Sequence, residues 1–156
     1  QRARICSIRD ARPFLQEKAK QRLEQILNFE PRTALAFIRA KGLCEYCGRE
    51  LIFDRLGYAC AQIDHLLPRA KYSEDITGMQ ENFVLSCSLC NGIKRDAAIL
   101  ESNEDPEIML IEKRKELLAR GKKLIEGRLQ QPNKLWVEAQ KIFEDIGYEQ
   151  GRKPAP

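Results

Sequence analysis

Asp64 and His65 stand side by side near the middle of a 156-residue chain, and His65 is its only histidine. An imidazole with a pKa of about 6.5 is largely neutral at pH 7 and can take a proton from water, so a histidine beside a carboxylate is a candidate general base. A satisfied structural histidine or a fifth zinc ligand is the plainer alternative, and the pair alone favours it. Two asparagines lie downstream, Asn82 ahead of Phe83 and Asn91 directly after Cys90. The Asn91 amide oxygen and the Asp64 carboxylate are hard donors of the kind Mg²⁺ or Mn²⁺ prefers, with waters in the remaining positions. Asn82 can equally be a turn asparagine that bonds its own backbone.

Four of the six cysteines form two C-x-x-C pairs, Cys44 with Cys47 and Cys87 with Cys90, and 39 residues stand between the pairs. Such spacing favours tetrahedral thiolate coordination of a structural zinc over redox pairs or buried small side chains. Gly48 gives the first knuckle its tight turn. Cys6 and Cys60 have no comparable partner and read as ordinary thiols. Apolar residues are sparse between Cys44 and Leu100. A zinc site, worth about 10–16 kcal/mol in isolated zinc-finger peptides, would supplement so small a core.

These groups must be positioned by short elements. Leu51 to Phe53 reads as a strand, Asp54 to Gly57 as a turn, and Tyr58 to Leu67 as a second strand ending at Pro68, a hairpin whose second arm carries Asp64 and His65. Alternation along that arm puts the two side chains on opposite faces. Residues 69–81 are loop-like in composition, either facing a substrate or merely connecting. Phe83 to Ser86 reads as a brief extended segment leading into the second knuckle, and a helix is expected from near Asn91 to Leu100.

Helices flank this centre. Asp10 can cap one from Ala11 to Asn28 with Phe14, Leu15, Ala19, Leu23, Ile26 and Leu27 on one face. Pro31 starts another, from Arg32 to Ala40, with Leu35, Phe37 and Ile38 apolar and Gly42 beyond its end. Asp105 and Pro106 announce a long basic helix from Glu107 to Leu129, and Pro132 a last one from Asn133 to Ile146. Basic residues on the long helix are interspersed with Glu112, Glu116 and Glu126, which is the pattern of a solvent-facing surface. The division expected is 1–42 helical extension, 43–101 core, 102–148 second helical extension and 149–156 flexible tail.

Composition narrows the partner only mildly. Lys and Arg number 27 against 23 Asp and Glu, a net charge of +4. No apolar run approaches the roughly 18 residues of a membrane span. No signal peptide opens the chain, so an intracellular location is expected. The first residue is Gln1 rather than Met, so the chain is expected to begin inside a longer protein or after removal of a tag.

In their order, C-x-x-C, Asp64-His65, Asn82 and C-x-x-C-Asn-x-x-Lys, the residues resemble the HNH endonucleases of the His-Me finger, or ββα-metal, superfamily. The resemblance covers Leu43 to Asp96. It implies an α+β, mainly helical fold with a zinc-stapled, treble-clef-like ββα-metal core. It implies His65 as the base that activates water, Asp64 and Asn91 as ligands of a catalytic Mg²⁺ or Mn²⁺, and Asn82 as a brace for the segment that holds His65. The four cysteines would bind structural zinc, and DNA would be cut to 5′-phosphate and 3′-hydroxyl ends. Asn91 stands where the family name expects a histidine, which moves the expected metal away from nickel or zinc. Arg69, Lys71, Lys94 and Arg95 are the candidate phosphate contacts, although a solvated helix face suits Lys94 and Arg95 as well. Prokaryotic or phage defence, or a mobile element, is the expected setting, with further domains or a defence partner. A non-catalytic zinc-knuckle module for nucleic acid or protein is the competing reading, and it accounts for the cysteines alone.

Overall fold

The computed structural model describes residues 8–131 and 133–146, the side chains of 8–15, 26 and 27 excepted. Its elements run α1 (Ile8–Leu27), α2 (Pro31–Arg39), α3 (Arg55–Ala59), β1 (Ala61–His65), α4 (Glu74–Thr77), β2 (Phe83–Cys87), α5 (Ser88–Lys94), α6 (Pro106–Glu112), α7 (Arg114–Gln130) and α8 (Lys134–Asp145). The expectations placed on Cys6, on the side chains of Phe14, Leu15, Ile26 and Leu27, on Pro132 and on the tail from Gly147 lie outside the described residues.

The centre is a ββα unit. Strands β1 and β2 pair antiparallel, from Ala61 opposite Cys87 to His65 opposite Phe83, and α5 follows directly and packs on both. This corrects the expected hairpin. Residues Leu51 to Phe53 form no strand, and Asp54 caps α3 by accepting the Gly57 N–H at 2.6 Å, so Tyr58 is helical. The partner of β1 therefore arrives only after the polar connection, which itself contains α4 and a 3₁₀ turn at Gln80–Asn82. Every residue of β2 is buried, the mark of a strand covered on both faces.

Three helix boundaries also differ. Asp10 lies inside α1, which begins by Ile8. Helix α5 starts at Ser88 with Cys87 as its cap and stops at Arg95, whose φ of 51° cannot continue a right-handed helix. The long basic helix is broken at Lys113 (φ −122°, ψ 23°) into α6 and α7. Asp105 does cap α6, accepting from Ile108 N–H at 2.9 Å with Pro106 at the first helical position. Asn133 caps α8 in the same manner through Trp136 N–H.

The flanking helices complete the core that the central segment lacks. Phe37 from α2, Met109 and Leu110 from α6, and Leu117 and Ile125 from α7 join Leu51, Leu66, Leu67, Val84 and Leu85 in one cluster. Ala19 and Leu35, expected on apolar faces, are exposed. Leu135, Trp136, Val137, Ile142 and Phe143 on α8 are exposed as well.

Buried charge ties the layers together. Glu45, in the first knuckle, receives Arg39 of α2 at 3.2 Å and Arg114 of α7 at 2.9 Å, and accepts the Leu85 N–H of β2. Arg114 also donates to Phe83 O (2.9 Å) and Glu81 O (2.7 Å). Arg120 pairs with Glu104 and Glu116, and Arg128 donates to Ile93 O and Lys94 O at the end of α5. These three arginines fasten α7 to its neighbours, while Lys113, Lys115, Lys122 and Lys123 are exposed, as the reading of a solvent-facing run expects.

Candidate active site and zinc centre

The two knuckles meet where the sequence spacing requires. The Sγ atoms of Cys44, Cys47, Cys87 and Cys90 all lie within 4.8 Å of one another, with Cys47 and Cys87 at 3.8 Å. A tetrahedral zinc with Zn–S bonds of about 2.3 Å sets its sulfurs roughly 3.8 Å apart, so the donor set fits that ion. Gly48 takes the positive φ of 75° that closes the first turn, and its N–H reaches Cys44 O at 2.8 Å. Backbone N–H groups point at the sulfurs, from Cys87 to Cys44 Sγ and from Cys90 to Cys87 Sγ. Burial, and then the charge of Cys44, push the Cys90 thiol up, a penalty that zinc removes by neutralising the thiolates. The four cysteines are a structural zinc site.

From this anchor the candidate residues are placed by β1 and α5. Asp64 points inward, where its carboxylate accepts from Tyr46 Oη at 2.7 Å and from Lys94 Nζ at 3.2 Å. Burial, then the nearby Asp64 charge, drive the Tyr46 hydroxyl far up, so it serves Asp64 as a donor. Lys94 is fully buried and also donates to His65 O at 2.7 Å. This corrects both readings of Lys94 as a phosphate contact or a solvated residue: an ammonium held between a carboxylate and a carbonyl faces neither DNA nor solvent. Asn91 sits mid-helix in α5 and donates its Nδ2 to Gln62 Oε1 at 2.6 Å. Gln62 shares a face of β1 with Asp64.

His65 projects from the end of β1 on the opposite face. Its ring lies 4.9 Å from that of Phe83 and lines a cleft of about 230 Å³ together with Glu30, Arg32, Arg69, Glu74, Thr77 and Gly78. Burial lowers its pKa; Asp64 opposes this, while Arg69, Lys94 and Arg32 add to it. A lowered pKa favours the neutral imidazole, the form that can accept a proton.

Asn82 is fully buried and closes both ends of a peptide unit across the chain. Its Oδ1 accepts from Leu67 N–H at 2.7 Å, while its Nδ2 donates to Leu67 O at 3.0 Å and Thr77 O at 3.2 Å. The Asn82 carbonyl takes the Leu66 N–H at 2.9 Å. The two residues after His65 are thereby pinned to the start of β2. Arg69 lines the His65 cleft, Lys71 is exposed, and Arg95 is exposed with its Nε on Gly92 O. Arg32 and Glu30 are cleft residues that sequence reasoning missed, because nothing local to α2 reveals that its first turn docks beside His65.

Residues 44–97 match the family model described as HNH endonuclease. The matched residues make up about a third of the chain. No curated protein and no solved structure gives a match. Within the HNH segment the zinc knuckles, the β1–β2 pair and α5 are contiguous, whereas α1, α2, α7 and α8 lie outside it and α6 follows its end. No helix among the described residues is long and apolar enough to cross a membrane.

Proposed function

We propose that this chain is a metal-dependent HNH endonuclease that hydrolyses DNA phosphodiester bonds, with His65 as general base. The observation that carries the reading is the His65 imidazole lining one cleft with Arg32 and Arg69, at the end of β1 and within the segment that matches the HNH endonuclease model. Its backbone is held from two sides, since Lys94 binds the His65 carbonyl and Asn82 grips Leu66 and Leu67.

The donor chemistry fits a hard divalent cation. A carboxylate has about four lone-pair sites. The contacts from Tyr46 and Lys94 fall mainly on Asp64 Oδ2, and Oδ1 takes only a longer one from Lys94 at 3.4 Å. The Asn91 amide, donating through its nitrogen, keeps its oxygen as an acceptor. Asp64 and Asn91 would hold Mg²⁺ or Mn²⁺, whose charge offsets that building on the phosphorane-like transition state and the departing 3′-oxygen.

In this mechanism His65 removes a proton from water as its oxygen attacks phosphorus in line. The P–O3′ bond breaks, solvent protonates the 3′-oxygen, and the products carry 5′-phosphate and 3′-hydroxyl ends. We place the protein in the cell interior, in a prokaryotic or phage defence or mobile-element setting with further domains or partners, on the strength of the family resemblance.

The test is nicking of supercoiled plasmid by the purified zinc-loaded protein with Mg²⁺, Mn²⁺ or excess EDTA, beside His65→Ala. The expected result is metal-dependent nicking that falls by about 10²–10⁴-fold in the variant. Equal rates in the two proteins would remove His65 from the chemistry. Retained zinc and DNA binding without any cleavage would leave a zinc-knuckle binding module instead.

A further inference from the structure

The cleft at His65 is built partly from outside the HNH segment. Glu30 is the N-cap residue of α2 and Arg32 lies in its first turn, yet both line one cleft with His65, Arg69 and Glu74. Arg32 is held for presentation: its Nη1 donates to Gly78 O at 2.9 Å, and its guanidinium lies 5.2 Å from the Phe83 ring centroid, the ring that also contacts His65. Gln80 fixes its backbone by donating to Arg32 O at 3.1 Å. The Arg32 Nε binds Glu30 Oε1, and about half of each side chain remains exposed. Two of the five guanidinium N–H groups are thus committed, and a planar fork with further donors suits a phosphate oxygen pair.

We propose that Arg32 and Arg69 clamp the DNA backbone phosphate presented to His65, and that Glu30 competes with that phosphate for Arg32. The proposal rests on the nuclease reading for the identity of the anion. It makes the start of α2 part of the active site, so the HNH segment without α2 lacks half of its anion grip. Glu30 lowers affinity for any backbone that does not engage both arginines, because the phosphate must displace a carboxylate already in place. Glu74, which also lines the cleft, adds to the same discrimination.

Opposite effects from the two members of one ion pair distinguish this role from a merely structural one. Binding of a short fluorescent duplex is followed by anisotropy across a salt series, in a His65→Ala background so that the probe stays intact. Arg32→Ala is expected to weaken binding roughly tenfold and to reduce the salt slope by about 0.9. Arg32→Lys should recover part of the affinity, since charge is kept and the fork is lost. Glu30→Gln should tighten binding several-fold, and it keeps the test decisive even if Arg32→Ala loosens α2. Unchanged affinity in Glu30→Gln, or a shift in the same direction in both variants, would overturn the clamp. The nuclease reading fails separately, through absence of plasmid nicking by the wild-type protein, while anisotropy still reports on the clamp.

Discussion

Replacing Lys94 with methionine tests the most exacting contact of the site. The ammonium is fully buried, 3.2 Å from Asp64 Oδ2 and 2.7 Å from His65 O, and Asp64 is only 6% exposed. Methionine conserves the aliphatic stem, so the variant removes a charge and donors with little change in volume. Asp64 then keeps the Tyr46 hydroxyl but loses its counter-charge. Breaking a buried pair by removing one partner costs about 3–5 kcal/mol, because an uncompensated charge stays behind. For a chain of this size each kcal/mol moves the melting temperature by about 2–4 °C, so a fall of roughly 6–20 °C is expected. The assay is urea denaturation of zinc-loaded protein in a double-mutant cycle with Asp64→Asn. The double variant, with no charge left to strand, should cost clearly less than the sum of the two singles. Additive costs, or a Lys94→Met loss below about 1 kcal/mol, the range of an exposed pair, would refute the account of Lys94 as the counter-ion of Asp64.

Three further outcomes follow from the same geometry. Cys44→Ser, or zinc removal by a strong chelator, should abolish hydrogen-exchange protection across residues 44–97; retained protection with no bound metal would contradict the structural role of the site. Glu45→Ala strands the half-buried Arg114 and should cost about 3 kcal/mol, whereas Arg39→Ala, at a more exposed partner, should cost about 0–1 kcal/mol; equal losses in the two would contradict Glu45 as a buried node. Asn82→Ala leaves Leu67 N–H, Leu67 O and Thr77 O without their partner, at about 1–3 kcal/mol per buried group, and should lower plasmid nicking while zinc content is kept; full activity would mean that the segment after His65 needs no brace.

Local chemistry made much of this protein legible. The C-x-x-C pairs, the glycine turn at Gly48, the Asp105–Pro106 start of α6 and the Pro31 start of α2 are each decided by a few neighbouring residues. A strand partner is not a local property. The stretch from Leu51 to Leu67 reads as a hairpin, but the Asp54 cap makes α3 the better local structure, and β1 finds its partner beyond α4. Helix α5 ends earlier than its sequence suggests, at the reversal at Arg95, where Lys94 Nζ donates to Arg95 O and Arg128 to Lys94 O.

The sequence by itself determined the zinc ligands, the presence of a histidine beside a carboxylate, and the order of motifs that marks the HNH family, because metal valence and side-chain chemistry admit few substitutes. Tertiary structure alone decided which charges are buried. Lys94 became the partner of Asp64, Arg114 a rivet on Glu45, and Arg32 a wall of the His65 cleft, although all three are equally basic in the sequence. The physical reason is that a cation's role depends on the anion or cleft brought to it, and those lie 30 residues away for Lys94, 69 for Arg114 and across the α2 docking face for Arg32.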